Sequence, residues 1–261
     1  MNNKSFSITS IILFLSLIMN ATASTAEPVL IAAAVQSKPA ATAADAEEDF
    51  TESEEEDIEI SDPFESFNRV MFNVNDKIYF GFLKPVAKGM RIVVPEKARV
   101  SLSHFFSNIL SPVRIVNAGL QLKGEDASNE FFRMIINSTI GLLGFFDVAK
   151  TDFGINIKKE DFGQTLGHYG VGNGPYLVLP LLGPSSVRDG IGLLVDGKYL
   201  DPASYEFDGE TGRYVAFKWL DIETTLSIDK DTYEAIKNDS IDPYVFLRNA
   251  YIQFRQGAVD K

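Results

Sequence analysis

The sequence contains no cysteine, two histidines and one tryptophan. Without cysteine there is no disulfide and no thiolate metal site, so the fold must rest on packing alone. His104 and His168 are far apart in the chain, and neither belongs to an H-E-x-x-H or any other paired-ligand spacing. Basic charge is also scarce, at 24 Lys and Arg against 36 Asp and Glu for a net charge of -12. No basic stripe is present to attract nucleic acid. Catalytic signatures are missing as well. Gly183-Pro184-Ser185-Ser186 is not the G-x-S-x-G elbow, and a Ser186–His168–Asp189 triad has nothing but residue types to recommend it. "GHYGVGNG", from Gly167 to Gly174, is neither a dinucleotide fingerprint nor a P-loop. The chain therefore reads as a non-enzyme with no cofactor and no metal. The adjacent Glu160 and Asp161, next to Lys158 and Lys159, read as a solvated charged turn.

Long apolar runs are confined to the start. Lys4 precedes the run from Ile8 to Met19, and the small-residue stretch Ala21-Thr22-Ala23 follows. The pattern predicts a secretory signal peptide over 1–23, cleaved after Ala23 with Ala26 as the alternative. Residues 24–61 pass from an Ala/Thr/Pro-rich stretch into a block of eleven acids between Asp45 and Asp62 with no Lys or Arg among them. Such a composition buries too little apolar area to offset the entropy of ordering, which predicts a disordered linker. The acidity belongs to this segment, and the body that follows is nearly neutral.

Order is expected over 62–256, with 257–261 as a tail. The predicted architecture is a single, mainly α-helical domain with few or no strands. Asp62 is placed to cap the first helix, with Pro63 at its first position and Glu65 behind. On that helix Phe64, Phe67, Val70, Met71, Val74, Ile78 and Phe82 share a face, while Phe72, Tyr79 and Phe80 break the polar side and call for a second apolar contact, protein or lipid. Further helices are predicted to open at Pro95-Glu96, Ser111-Pro112, Gly124-Glu125 and Asp242-Pro243. "PYLVLPLL" is apolar, but Pro175 and Pro180 argue against a central strand. The glycines from Gly163 to Gly183 suggest a long irregular segment in which His168 and Tyr169 are local hydrogen-bonding anchors.

The helix from Glu125 to about Ile140 carries one narrow polar stripe: Asp126, Asn129, Glu130, Arg133 and Asn137. Nearly all its remaining circumference is apolar. Two arrangements fit, a helix buried among others with its stripe reaching water, or one facing lipid outside and a wet cavity inside. The next stretch, "IGLLGFFDVA", holds Gly141, Leu142, Leu143, Gly144, Phe145 and Phe146. It is awkward on a water-exposed surface and suits a membrane interface or a hydrophobic gate.

Six stretches carry a family resemblance. They are "DPFESFNRVMFNVND", "KPVAKGMRIVVPEKAR", "SLSHFFSNILSPVRIVN", "NSTIGLLGFFDVA", "FGQTLGHYGVGNGPYLVLPLLGPSSVRDGIG" and "DPYVFLRNAY". In this order, over Asp62 to about Gln253, the sequence resembles the MlaA/VacJ family of outer-membrane lipid-transport proteins. The resemblance implies a helical ring embedded in the periplasmic leaflet of the outer membrane around an amphipathic channel. It implies phospholipid as cargo, removed from the outer leaflet to maintain lipid asymmetry. The implied partners are a porin trimer and a periplasmic MlaC-like carrier. It also places a channel hairpin at Gly141–Phe146, with Gly141 and Gly144 as hinges. The polar stripe would then be the wet path for the head group, with Arg133 meeting the phosphate. The VacJ name adds an alternative, a surface factor for intercellular spread or virulence. Members commonly carry a lipidated cysteine after the signal peptide. This sequence has none, so attachment without a lipid anchor is expected.

Overall fold

The computed structural model describes residues 62–261. The expected signal peptide and linker lie outside the described residues. Helix α1 (Glu65–Ile78) continues without a break through a π-helical turn (Tyr79–Leu83) into α2 (Lys84–Val93). The widening has a local cause. Pro85 has no N–H to return to the preceding turn, and the Lys84 N–H instead reaches back five residues to the Tyr79 carbonyl. Pro95 then starts α3 (Glu96–Ile109), and α4 (Ser111–Leu120) and α5 (Gly124–Thr139) follow. After a short α6 (Val148–Thr151) comes α7 (Phe162–His168), capped by the Asp161 carboxylate, which accepts from the Gln164 N–H at 2.8 Å.

Strand β1 (Tyr176–Leu179) pairs antiparallel with β2 (Gly183–Ser186), from Tyr176 opposite Ser186 to Leu179 opposite Gly183. The chain closes with α8 (Val187–Val195), a second π-helical turn (Asp196–Leu200), α9 (Pro202–Glu206), α10 (Thr211–Ile228), α11 (Thr232–Asp239) and α12 (Pro243–Val259). The helix pairs in closest contact are α4 with α5, α7 with α8, and α10 with both α2 and α3.

The mainly helical expectation stands, and the predicted helix starts at Pro95-Glu96, Ser111-Pro112, Gly124-Glu125 and Asp242-Pro243 are occupied. "YLVL" is a strand of a two-stranded hairpin with Pro175 before it and Pro180 after it. Both prolines lie outside the paired residues, so neither removes a ladder bond. Three details differ from the expectation. Asp62 does not cap α1. Its carboxylate accepts from Asn68 Nδ2 at 2.9 Å and from the Tyr244 hydroxyl, tying the start of α1 to α12. "FGQTLGH" is a helix rather than irregular chain, because Gly163 and Gly167 serve close packing. A Cβ on Gly163 would meet Asp189 Oδ1 at 2.5 Å, and one on Gly167 would meet Arg188 Nη1 at 2.9 Å and the Val259 side chain. The last helix runs through Val259, past the expected boundary at 256, with Gly257 inside it.

Burial runs opposite to that of a water-soluble domain. More polar and charged side chains than apolar ones are fully buried among the described residues. The apolar interior is divided into three small clusters around Tyr214, Leu226 and Tyr244. Many large apolar side chains point outward instead. Helix α1 shows the inversion most simply. Phe64, Phe67, Val70 and Val74 of its apolar stripe are exposed, and its one fully buried residue is Asn68. Asn68 donates to the Tyr176 carbonyl and accepts from the Val178 N–H, both at 2.9 Å. Of the three aromatics that broke the polar side, Phe72 and Tyr79 turn inward, while Phe80 is exposed. Phe72 meets Tyr244 edge-on at 5.9 Å, and Tyr79 meets Tyr233 at 4.8 Å.

Candidate functional site: an amphipathic cavity

Elements α1, the first π turn, the β1–β2 hairpin, α8, α10 and α12 surround a cavity of about 200 Å³. One part of its wall is apolar, including Phe72, Ile78, Leu83, Ile222, Leu226, Leu247 and Phe254. Another part is a buried ionic cluster. Arg255 on α12 donates from Nη1 and Nη2 to Asp161 at 2.6 and 2.9 Å, and from Nε and Nη2 to Asp189, both at 2.8 Å. Tyr251 donates its hydroxyl to Asp189 at 2.5 Å, and Arg188 adds Nε to the same carboxylate at 2.9 Å. Burial alone would raise both carboxyls, but the Arg255 guanidinium outweighs it. Asp161 is held at about 2, and Asp189 also lies below the usual carboxylate range. The Tyr251 hydroxyl is pushed well up by burial and by Asp189.

Helix packing makes this cluster possible. Gly192 on α8 lies against Gly163 on α7, so that a Cβ on Gly192 would overlap the Gly163 backbone, at 2.8 Å from its Cα. That approach brings Asp161 and Asp189 to adjacent edges of one guanidinium, where they share Nη2. Ser186 has a separate task as cap of α8, where its hydroxyl accepts from the Asp189 N–H at 3.1 Å. His168 is exposed at the end of α7 with its ring edge-on to Tyr169, so Ser186, His168 and Asp189 form no triad. The anchor in this stretch is Tyr169, whose hydroxyl donates to the Leu120 carbonyl at 2.6 Å. His168→Ala is therefore expected to change unfolding stability by no more than about 0.5 kcal/mol in a urea titration, against the anchoring role that the sequence suggests.

The Glu160–Asp161 pair is not a solvated turn. Both are buried, Asp161 in the Arg255 cluster and Glu160 against Gln121 Nε2 at 2.8 Å and Lys123 Nζ at 3.1 Å. Sequence reasoning missed Arg255 as well. It stands 94 residues from Asp161, and no local pattern reports such a pairing.

The α5 stripe is brought together but turned inward. Glu130, Arg133 and Asn137 are buried, whereas Phe131, Phe132, Ile135 and Ile140 are exposed. Glu130 accepts from Arg114 Nε at 2.7 Å and from the Lys158 N–H at 2.6 Å. Arg133 forks onto Asp147 at 2.9 and 3.0 Å and also donates to the Ile155 carbonyl. Asn137 joins the same carboxylate at 3.0 Å and accepts from the Ala149 N–H at 2.9 Å. Asp126 pairs with Lys158 at 3.1 Å, and Asn129 is half-buried. None of the five lines the cavity. Of the two arrangements α5 allowed, the apolar side does face outward, while the inner side meets an ionic network rather than open water.

The loop after α5 is tightly built. Gly141 and Gly144 are buried. A Cβ on Gly141 would meet the Asn137 carbonyl at 2.6 Å, and one on Gly144, at φ +95, would run into the Asn108 side chain. Phe145 stacks on Phe105 with centroids 4.9 Å apart. Between the glycines, Leu142 and Leu143 take φ values of 51 and 61 and stand 63% and 64% exposed. Two successive leucines in the left-handed region, pointing outward, are strained on both backbone and solvation grounds.

The sequence profile of the family described as "MlaA lipoprotein" matches residues 60–258. The chain belongs to the MlaA family. Curated members share its body. The "Intermembrane phospholipid transport system lipoprotein MlaA" of Escherichia coli (strain K12) is 38% identical over 199 residues, 74% of this chain and 76% of that protein. Its counterpart of the same name in Haemophilus influenzae is 32% identical over 205 residues, 77% of this chain and 80% of that one. A Rickettsia bellii protein is 36% identical over 203 residues, 77% of this chain and 78% of its own length. A solved structure described as "Structural basis for maintenance of bacterial outer membrane lipid asymmetry" superposes with a TM-score of 0.64 at 34% identity. It covers 76% of this chain and 99% of its own.

Proposed function

We propose that this MlaA protein is a component of an intermembrane phospholipid transport system. It sits in the periplasmic leaflet of the outer membrane and removes phospholipids that have strayed into the outer leaflet, which maintains lipid asymmetry. The observation that carries this reading is the inverted burial. Outward Phe64, Phe67, Val70, Phe131 and Phe132 are unfavourable in water and favourable against acyl chains. No helix among the described residues is long and apolar enough to cross a membrane. In this reading the outward apolar faces seat the protein in one leaflet as an interfacial body. The names of the E. coli and H. influenzae relatives support the cargo assignment.

In this reading the cavity is part of the lipid path. Its apolar wall accepts chains, and its ionic wall gives the head group a polar surface. The loop Gly141–Phe146 dips among the acyl chains. The α5 stripe supports that loop from behind, where Arg133 and Asn137 grip Asp147 at its exit. A porin trimer and a periplasmic MlaC-like carrier are the partners that receive the body and the cargo. A strain lacking this protein is expected to accumulate phospholipid in the outer leaflet and to become detergent-sensitive, with both defects reversed by complementation. Unchanged outer-leaflet phospholipid would sink the proposal.

A further inference from the structure

Helix α11 is attached to the body differently from the other helices beside the cavity. Among the described residues no helix packs closely along it, and Ile236 is its one fully buried residue. Its hold is by side chains, and the partners of Tyr233, Glu234 and Lys237 all lie on the continuous segment of α1, the first π turn and α2. Lys237 donates to Asp76 at 2.6 Å and lies over the Phe80 ring, 4.6 Å from its centre. The Tyr233 hydroxyl donates to the same carboxylate at 3.1 Å. Glu234 accepts from the Tyr79 hydroxyl at 2.9 Å and pairs with Lys84. Both ion pairs are partly exposed, a setting in which one pair favours a closed state by about fivefold or less.

The chain on either side of α11 is pinned. Arg91 donates to the carbonyls of Leu226 at 3.2 Å, Ser227 at 3.0 Å and Asp229, which fixes the end of α10. Asp242 caps α12 and pairs with Arg69 at 2.9 Å, which fixes the next helix. Between these stems Asp231 takes φ 62, in a turn that Asp229 closes by accepting from the Thr232 N–H at 3.1 Å. Arg91 also reaches Asp231 at 3.4 Å. At the other end Ile241 is fully exposed. The inner side of α11 belongs to the cavity, because Tyr233 is part of the wall and meets Tyr79, another wall residue, edge-on. A short helix held over a cavity by weak side-chain contacts, between two fixed stems, opens far more readily than the protein unfolds.

We propose, resting on the reading of the cavity as a lipid path, that α11 is a lid whose opening admits the phospholipid. It turns about Asp231 and Ile241. The Asp76–Lys237 and Lys84–Glu234 pairs part, and the Tyr79–Tyr233 contact opens into the cavity. The ion pairs are the latches that set how often the path is open.

The test exploits the absence of cysteine from the sequence. Asp76→Cys with Lys237→Cys puts two thiols at one latch, and a bis-maleimide with a disulfide in its spacer bridges them. The full chain, held in lipid nanodiscs, is mixed with vesicles carrying fluorescent phosphatidylethanolamine, and lipid uptake is followed in time. The unbridged double variant is expected to take up lipid about threefold faster than wild type, or more, because the latch and the Phe80 contact are lost. Bridging is expected to slow uptake at least about tenfold below wild type, and reductive cleavage of the spacer to restore it. Uptake by the bridged protein at the unbridged rate overturns the lid while leaving the lipid path standing. A block that persists after cleavage belongs to the modified thiols and overturns the lid as well. An unbridged variant no faster than wild type overturns the assignment of the latch. No uptake by wild type overturns the lipid path itself, and the lid with it. Hydrogen exchange on the wild type gives a second reading that needs no variant to fold. Amides of α11 are expected to exchange at least about tenfold faster than those in the middle of α10 and α12, and equal protection overturns the lid.

Discussion

Arg255→Met is expected to destabilise the protein by about 3–5 kcal/mol, the usual cost of stranding buried charges after one partner is removed. The guanidinium is the hub of the cavity wall, and Asp161 and Asp189 have no comparable replacement. Arg188 touches Asp189 alone, and Gln164 and Tyr251 supply neutral donors. The pH dependence should reverse in sign. In the wild type, Asp161 is depressed to about 2, so its contribution is full above the unfolded carboxylate value near ~4 and is lost as pH falls through about 2. Without Arg255, burial dominates at Asp161 and raises that carboxyl above its unfolded value, while Asp189 keeps Arg188 and Tyr251. The Asp161 contribution should then grow as pH falls toward the unfolded value and shrink as pH rises. Urea unfolding of wild type and variant in detergent at several pH values between about 3 and 7 measures both the cost and the slope. A variant within about 1 kcal/mol of wild type, with an unchanged slope, would show that the cluster is not a structural hub.

Joint replacement of Leu142 and Leu143 by Asn is expected to have opposite effects on folding and on membrane association. Both leucines hold positive φ, a conformation that asparagine tolerates at lower cost. The soluble, detergent-free stability of the body should therefore rise by about 1 kcal/mol per position. The same change removes two exposed leucines from the loop proposed to meet lipid. At about 1.5–3 kcal/mol per leucine side chain withdrawn from water, vesicle binding should fall by at least about a hundredfold. Flotation with vesicles and thermal unfolding of the same preparation separate the two effects. Undiminished flotation would remove the loop from the membrane contact.

Helix boundaries were legible because the chain marks them locally. Pro95, Pro112, Pro243 and Asp242 stand at helix starts for reasons of their own backbone and hydrogen bonding. The inward side of each helix was less legible. A helical wheel ranks faces by hydrophobicity and assumes water outside, and in α1 that rule selects Phe67, Val70 and Val74, which point away from the protein. In α5 the polar stripe of the wheel turns inward, and its atoms meet Arg114, Asp147 and Lys158. The π turn before Pro85 and the Arg255 cluster were not legible at all. The first needs coordinates to separate a kink from a widened turn, and the second joins residues 66 and 94 positions apart. The glycine-rich "FGQTLGHYGVGNG" owes its specificity to packing. Gly163 exists for Gly192 and the ionic cluster, which no motif search for phosphate or nucleophile could reveal.

The central claim is that the apolar exterior of this protein is solvated by acyl chains. The most direct measurement is carbene labelling from a photoreactive probe dissolved in the vesicle interior, read residue by residue by mass spectrometry. The account predicts labelling at Phe64, Phe67, Val70, Phe131, Phe132, Leu142 and Leu143, with Asn68, Arg114 and Glu130 untouched. Absence of label from the outward aromatics, or label no denser there than on the exposed charged residues Lys97 and Arg213, would contradict it.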